Sequence, residues 1–575
     1  MVTGLLVCEK GLYVVTVLTF AHMAGYIYKK PSRGKIYYYA GENERIGKTT
    51  RRKWEVYLGT FEKIVKTMGE GILLPDDVTS TPYGLYSAFV ENAKDLDFVE
   101  NIDKVFTKRD QGLSTGEYFL FGVLARLTKP RTTNSIEEWY DDYRLDMIYP
   151  IDEKYLSAQN YWNNLSPLNF ERINEVHHLL QNSISEKYDI HDTYIYFDPS
   201  NFYTYIETNS ESSEIAKRGN NKHKRYDLRQ VNLALAVTQE EGIPVYHKTY
   251  PGNVNDVTFF KENINNFIEH LKKNGSKEVI VVFDKGNNAK EIFDTICKPD
   301  KQKIKFIGSL RPSSHEYLFK TPVDDFKDQF ETDAGNKVMY KEIQVKEYGR
   351  NFRAVLTYDH GTFKKKMFTW IENMKTITDE IEEFIQSNLN IKKWRNKEAV
   401  EKKLETMTSK KKMKDIIQFN VSGDYGKLSV SLFCNIENAK KAMEPWGKSL
   451  IFTSCENKNI VDVIKGYRMK NDIEDCFKIL NNSHLLSIRP VHRWTDQMIK
   501  AHMATCVLGL ELIQVMKKRL IDNEVDVSYE NMFQCLHNIS LIKLVYSKKK
   551  TVYKVSSVKN DVKKIATTLG VKLKI

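Results

Sequence analysis

The chain has 575 residues, 41% hydrophobic and 28% charged, which excludes a disordered polypeptide and allows roughly two to four domains with cores of their own. Its formal net charge of +12 draws it toward polyanions, nucleic acid ahead of an anionic membrane. Seven scattered cysteines with no C-x-x-C pair exclude a zinc motif and a disulfide framework, and they read as the reduced thiols of a cytoplasmic protein.

Residues 1–22 read as a mis-annotated extension ahead of a true start at Met23. The run "GLYVVTVLTFAHMAGYIY" is apolar but short of the roughly 20 unbroken residues that span a bilayer, and no other stretch suggests a span. Residues 23–80 alternate apolar and basic residues around Pro-Ser-Arg-Gly and Gly-Glu-Asn-Glu, predicting a basic β-hairpin module. Lys29, Lys30, Arg33, Lys35, Arg51, Arg52 and Lys53 are its candidate contacts to DNA ends. "GKTT" at 47–50 is not a phosphate-binding loop, because that pattern needs a glycine where the chain has Glu42. Residues 81–190 predict a helical domain for DNA binding or linking. Within it, Ser114 and Glu117 stand at capping-box spacing before an apolar run. His177 and His178 point about 100° apart on a helix, so one packs and the other meets solvent.

From 191 to 310 the pattern changes to strands and helices in the order βββαβαβ, an α/β layer. "TYIYFD" is a strand closed by Asp198 and Pro199, and "VIVVFD" is a buried strand closed by Asp284. Between them lie a hairpin turning at Glu-Glu-Gly and a helix capped by Asp256. Carboxylates at neighbouring strand ends repel and raise each other's pKa, a penalty that a hard cation such as Mg²⁺ removes. Residues 311–448 read as an inserted β-rich subdomain with charged helices. The α/β pattern resumes over 449–520, where a helix over 461–482 puts Tyr467, Lys470 and Glu474 on one stripe, beside an apolar stripe of Ile473, Phe477 and Leu480. Residues 521–575 form a basic C-terminal region with a hairpin at "KLVYSKKKTVYKV".

The segments "YFDPSNFYTYIE", "KRYDLRQVNLALAV", "GIPVYHKTYPGNVNDV", "VVFDKGNNAKE", "GYRMKNDIEDCFKIL" and "SIRPVHRWTDQMIKAHM", in this order, resemble the DDE insertion-sequence transposases. The similar branch carries a β-rich insertion between the second and third acids. The resemblance covers most of the chain and implies a multidomain α/β fold: a ribonuclease-H-like mixed sheet flanked by helices, with the insertion, the helical region and the basic β module appended. It implies Asp198, Asp284 and Glu474 as catalytic acids and ligands of two Mg²⁺ ions, with Mn²⁺ able to substitute. The family signature runs Tyr, two residues, Arg, three residues, Glu, six residues, Lys. Tyr467 and Glu474 fit it, Lys470 takes the Arg position, and Asn481 replaces the final Lys, with Lys478 one turn earlier to compensate. Arg225 and Arg229 of the basic run 217–230, Lys285 and Trp494 complete the implied DNA-binding set.

The implied reaction is hydrolysis at the element's ends, followed by attack of the freed 3′-OH on target DNA. The implied partners are double-stranded terminal inverted repeats and target DNA, held by a homodimer in a prokaryotic cytoplasm, with no membrane. The changes at Lys470 and Asn481 keep open a catalytically impaired or domesticated DNA-binding protein; a third reading is an unrelated nuclease of the same fold, which would need no paired-end assembly.

Overall fold

The computed structural model describes residues 4–8, 11–15, 25–32, 34–46, 49–69, 75–107, 112–128, 130–188, 190, 193–207, 210–220, 225–273, 278–298, 303–332, 335–410, 413–546 and 550–574. Arg33, Gly47, Lys48, Lys222, Lys224 and most of the N-terminal extension lie outside the described residues. The chain divides into two compact units, one of residues 1–80 with 541–554 and one of 81–540 with 555–575.

In the first unit, β1 (Gly4–Cys8) pairs antiparallel with β2 (Gly11–Val15). The meander β3 (Tyr26–Ser32), β4 (Lys35–Ile46) and β5 (Thr49–Gly59) is the hairpin module. Three of its cations already have partners: Lys30 meets Glu55 at 3.0 Å, Lys53 meets Glu42 at 3.1 Å, and Arg52 lies 4.5 Å from the Tyr28 ring. α1 (Phe61–Gly69) and β6 (Asp77–Pro82) follow.

The second unit opens with helices α2 (Gly84–Asp95), α3 (Phe98–Val105), α4 (Thr115–Leu124), α5 (Ile136–Asp142), α6 (Ala158–Leu165) and α7 (Ile173–Tyr188). The expected capping box starts α4, with Glu117 N–H donating to Ser114 Oγ and Ser114 N–H to Glu117. Next come β7 (Tyr194–Tyr203), β8 (Gln230–Thr238), β9 (Pro244–Pro251), α8 (Asp256–Lys273), β10 (Val279–Phe283), α9 (Lys290–Ile296) and β11 (Ile304–Leu310). The cap of α8 is Asn255, whose Oδ1 accepts from Thr258 N–H at 2.8 Å. Asp256, expected there, instead accepts from the Tyr250 hydroxyl at 2.9 Å.

After α10 (Glu316–Phe319) the chain forms β12 (Asp328–Glu331), β13 (Lys337–Glu347) and β14 (Arg350–Asp359). Then follow α11 (His360–Asn388), α12 (Lys397–Thr408), β15 (Ile417–Ser422), β16 (Ser429–Cys434), α13 (Ile436–Met443) and β17 (Lys448–Thr453). The last elements of this unit are α14 (Ile460–Arg468), α15 (Asn471–Asn481), α16 (Asp496–Asp522), α17 (Tyr529–His537) and α18 (Asn560–Thr568), and between the last two come β18 (Ser540–Tyr546) and β19 (Lys550–Val555), which belong to the first unit. β18 and β19 are the predicted C-terminal hairpin and pair onto β6.

One mixed sheet of nine strands organises the second unit, in the order β12-β13-β14-β17-β11-β10-β7-β8-β9. β8 is buried at every position, as a strand covered on both faces must be. The β-rich part of 311–448 is therefore not a separate subdomain. β14 pairs with β17, and Val345, Phe352, Ala354 and Leu356 share the core of Phe197, Phe283 and Phe306. Only α11–α13 with the β15–β16 hairpin build a core of their own, around Ile377, Ile381, Leu404 and Val421. Among the described residues one helix, α16, is long and apolar enough to cross a membrane, and 94% of its apolar stretch is buried inside the protein. It is a core helix.

Candidate active site

Parallel pairing of β7 with β10 sets the centre of the site. Phe197 stands opposite Phe283, so the residues that follow, Asp198 and Asp284, come level on strands roughly 4.8 Å apart. β10 ends at this level, whereas β7 runs on through Pro199 to Tyr203, paired with β8. The expected strand end at Asp198 is thus an end on one side only. The bond from Ile280 N–H to the Thr193 carbonyl sets the parity. Odd-numbered β7 residues turn their N–H toward β10, so Pro199 lacks a donor only where β10 has already stopped.

β11 runs parallel to β10 with Val282 opposite Ile307, which brings Ser309 level with Asp284. Its hydroxyl donates to Asp284 Oδ1 at 3.0 Å; Lys285 N–H donates to the same oxygen at 2.8 Å and the Tyr467 hydroxyl at 3.1 Å. Lys470 Nζ lies 3.5 Å from Oδ2. Burial opposes ionisation of Asp284, but the Lys470 ammonium and these donors outweigh it and hold the carboxyl below its ordinary value. Burial likewise presses on the Lys470 ammonium, and Tyr467, Asp284 and Glu474 outweigh it, so Lys470 titrates above its ordinary value.

Tyr467 reaches Asp284 because α14 lies directly on β7. A Cβ at Gly466 would stand 2.5 Å from Tyr194 Cε1, and the Tyr196 hydroxyl donates to the Gly466 carbonyl at 2.8 Å. Arg468 anchors the same helix to Asp359, with Nη2 at 2.6 Å from Oδ2, and Asp359 caps α11 through Thr362 N–H at 3.0 Å. Gly466 and Ser309 are site residues that the sequence reading missed. A glycine inside a helical pattern, where it costs about 1 kcal/mol against alanine, was the available signal for Gly466. Ser309 carried none.

The helix expected over 461–482 is two helices. Lys470 N–H bonds the Tyr467 carbonyl and Asp472 N–H the Met469 carbonyl, i→i+3 bonds that tighten the chain between α14 and α15. The apolar stripe of Ile473, Phe477 and Leu480 is buried as expected. Glu474 is exposed one turn beyond Lys470 and adds to the field that keeps Lys470 charged. Among the described residues no three His, Cys, Asp or Glu side chains gather closely enough to hold an ion. Asp198 and Asp284 do fit a hard divalent cation. They are oxygen donors level on neighbouring strands, and Lys470 now supplies the positive charge beside Asp284.

Asp472, two residues before Glu474 and not among the expected acids, faces the β8–β9 turn, where burial and then the charges of Asp475, Glu240 and Glu241 push its carboxyl up to about 6. The other expected residues lie variously. Lys478 pairs with Asp475 at 2.6 Å, and the Asn481 amide donates to the Phe477 carbonyl of its own helix at 2.8 Å. Arg225 makes a two-pronged pair with Asp227 at 2.9 and 2.7 Å. Arg229 is half-buried, and its carbonyl accepts from Thr204 N–H at 2.7 Å. Lys285 is exposed beside Asp284 and close enough to Lys366 of α11 that burial and its like charge lower the Lys366 pKa. Trp494 is 68% exposed.

A family profile described as "Transposase DDE domain" matches residues 204–508, just over half of the chain. The matched span includes Asp284 and Glu474 and begins six residues after Asp198. No curated protein matches. Among solved structures, the chain is similar to the piggyBac transposase synaptic complex with hairpin DNA, at 9% identity and a TM-score of 0.36, over 80% of this chain and 82% of that one. It is also similar to the Mos1 transposase paired-end complex with left transposon end, at 13% identity and a TM-score of 0.13, over 29% of this chain and 57% of that one.

Proposed function

The chain belongs to the transposase DDE domain family, and from that premise we propose that it cuts DNA at the ends of its own insertion sequence and joins the freed 3′ ends to target DNA. The observation that carries the reading is the register placing Asp198 level with Asp284, with Tyr467 and Lys470 bound to Asp284. In this reading Asp198, Asp284 and Glu474 hold divalent cations, Mg²⁺ or Mn²⁺. When bound there, the cations activate water and stabilise the departing 3′ oxygen.

The chain's own groups prepare that chemistry. Ser309 and Tyr467 fix the Asp284 carboxylate in one rotamer. Lys470, released from Asp284, turns its ammonium to a phosphate oxygen as a point charge without the fork of an arginine. Lys285 and Lys366 present further positive charge to the scissile strand. Trp494, Arg225 and Arg229 contact flanking DNA, and a homodimer pairs two terminal inverted repeats in the cytoplasm.

A second reading, a DNA-binding protein that has lost catalysis, is favoured by the exposure of Glu474 and by the grip of Lys470 on Asp284. DNA carrying the element's own ends, incubated with the protein and MgCl₂, separates the readings. Joined products are expected of the transposase; a mobility shift with no cut strand would establish the second reading instead.

A further inference from the structure

A cleft of about 360 Å³ lies between the segments 130–134 and 490–494, lined by Arg126, Arg131, Thr133, Arg493, Trp494 and His502 among others, with no acidic residue among the described residues of its wall. The two segments are pinned together: Leu127 pairs with Leu486, and Thr128 N–H donates to the Leu485 carbonyl at 3.1 Å. Arg126 is only 7% exposed, yet its guanidinium meets neutral acceptors alone, the carbonyls of Ser487 and Arg489, at 2.8 Å from Nε and 3.2 Å from Nη2. Arg493 donates only to Thr133 Oγ1 at 3.3 Å, and Arg131 to the Tyr143 hydroxyl at 3.1 Å. Burial lowers the pKa of Arg126 and Arg493, and the charge of Arg126 lowers that of Arg493 further. The Tyr161 hydroxyl, in a side chain 2% exposed, has no hydrogen-bond partner among the described residues, and Tyr161 lines a second, small cavity of which Arg126, Arg131 and Arg493 also form part of the wall.

A buried cation without a counter-ion, flanked by two half-buried ones and an unused hydroxyl, is costly unless an anion completes it. We infer that this cleft is an oxyanion pocket that takes a phosphate group, carried by the backbone of bound DNA or free in solution. The planar guanidinium forks suit phosphate oxygens, and Tyr161 supplies one more donor. The DNA source rests on the transposase reading. Val491 bridges to Thr204, six residues along β7 from Asp198, so the pocket lies roughly 20 Å from the acids at 3.3 Å per residue, at a contact outside the reacting centre.

The test uses the full chain and Arg131→Gln, Arg493→Gln and Tyr161→Phe, each first shown to melt at the wild-type temperature. Tyr161→Phe removes only an unpartnered hydroxyl and keeps the test open if an arginine variant misfolds. Inorganic phosphate is titrated calorimetrically at constant ionic strength, and a random-sequence duplex oligonucleotide is bound across roughly 50 to 200 mM KCl. Each arginine variant is expected to weaken phosphate binding about tenfold and to flatten the log–log salt slope for duplex binding by about 1. Weakened phosphate binding with an unchanged slope identifies free phosphate as the occupant. Folded variants with both quantities unchanged overturn the pocket. A wild-type protein that binds phosphate but never cuts DNA would defeat the transposase reading and leave the pocket standing.

Discussion

At Asp284, burial and a set of donors pull the carboxyl in opposite directions, and the donors prevail. Removing the one full charge among them reverses the outcome. Lys470→Met is expected to raise the Asp284 pKa above its ordinary value, read as a shift of the acid limb of the pH–rate profile to higher pH. An unmoved limb would mean that Lys470 does not govern Asp284. The stability contribution has a definite sign: a carboxylate that titrates lower in the fold than in the unfolded chain favours the fold above its unfolded pKa, and that support is lost as pH falls through the folded value. Asp472 has the opposite sign. With its pKa raised to about 6, its ionisation weakens the fold above the ordinary aspartate range. Asp472→Asn should therefore raise Tm at pH 8 and leave it unchanged near pH 4; an unchanged Tm at both would show that its carboxyl is not strained by burial.

Between elements, the site depends on how closely α14 approaches β7. Gly466→Ala drives a methyl into the Tyr194 ring and should cost about 1–3 kcal/mol of stability. It should also slow cleavage, because Tyr467 and Lys470 move with the helix. A variant with wild-type Tm and rate would remove Gly466 from the account. The two acids were legible in the sequence because a carboxylate is costly inside an apolar strand; Asp284 does follow the end of β10, whereas Asp198 stands inside β7, at the level where β10 stops beside it. The break at Lys470 was not legible, since helical periodicity runs through it and the turn is set by docking at Gly466 and by the Arg468–Asp359 pair. Sheet membership of β12–β14 was hidden for a related reason. "YKEIQVKEY" alternates like any half-buried strand, and pairing of β14 with β17, more than 90 residues later, leaves no local trace. At α8 two adjacent residues, Asn255 and Asp256, are equally able caps, and only the Tyr250 hydroxyl decides between them.

Across the whole second unit, a hydrogen-bonded chain of buried side chains joins α7, β9 and α16. His177 Nδ1 lies 3.0 Å from Glu511 Oε2, and His177 Nε2 lies 2.7 Å from His247 Nδ1. Burial drives His177 down to about 3 and His247 well below its ordinary value, and drives Glu511 well up. Burial also lowers His270, to about 4, and His502. Between about pH 6.5 and 4.5 the unfolded chain binds protons on these histidines that the fold refuses, against one on Glu511 that the fold alone keeps. Stability is therefore present near pH 7 and falls with acidification through about 6.5. Tm should drop steadily from pH 7 to pH 5, and a flat profile would mean that these histidines are charged in the fold. The proposed reaction needs three remote acids of this unit at one centre, and strand cleavage on the element's own DNA ends tests this most directly. Asp198→Asn, Asp284→Asn and Glu474→Gln should each lose about 10³-fold or more in rate while still binding the ends, and Asp472→Asn should keep its rate. Full cleavage by Glu474→Gln, or its loss in Asp472→Asn alone, would contradict the account.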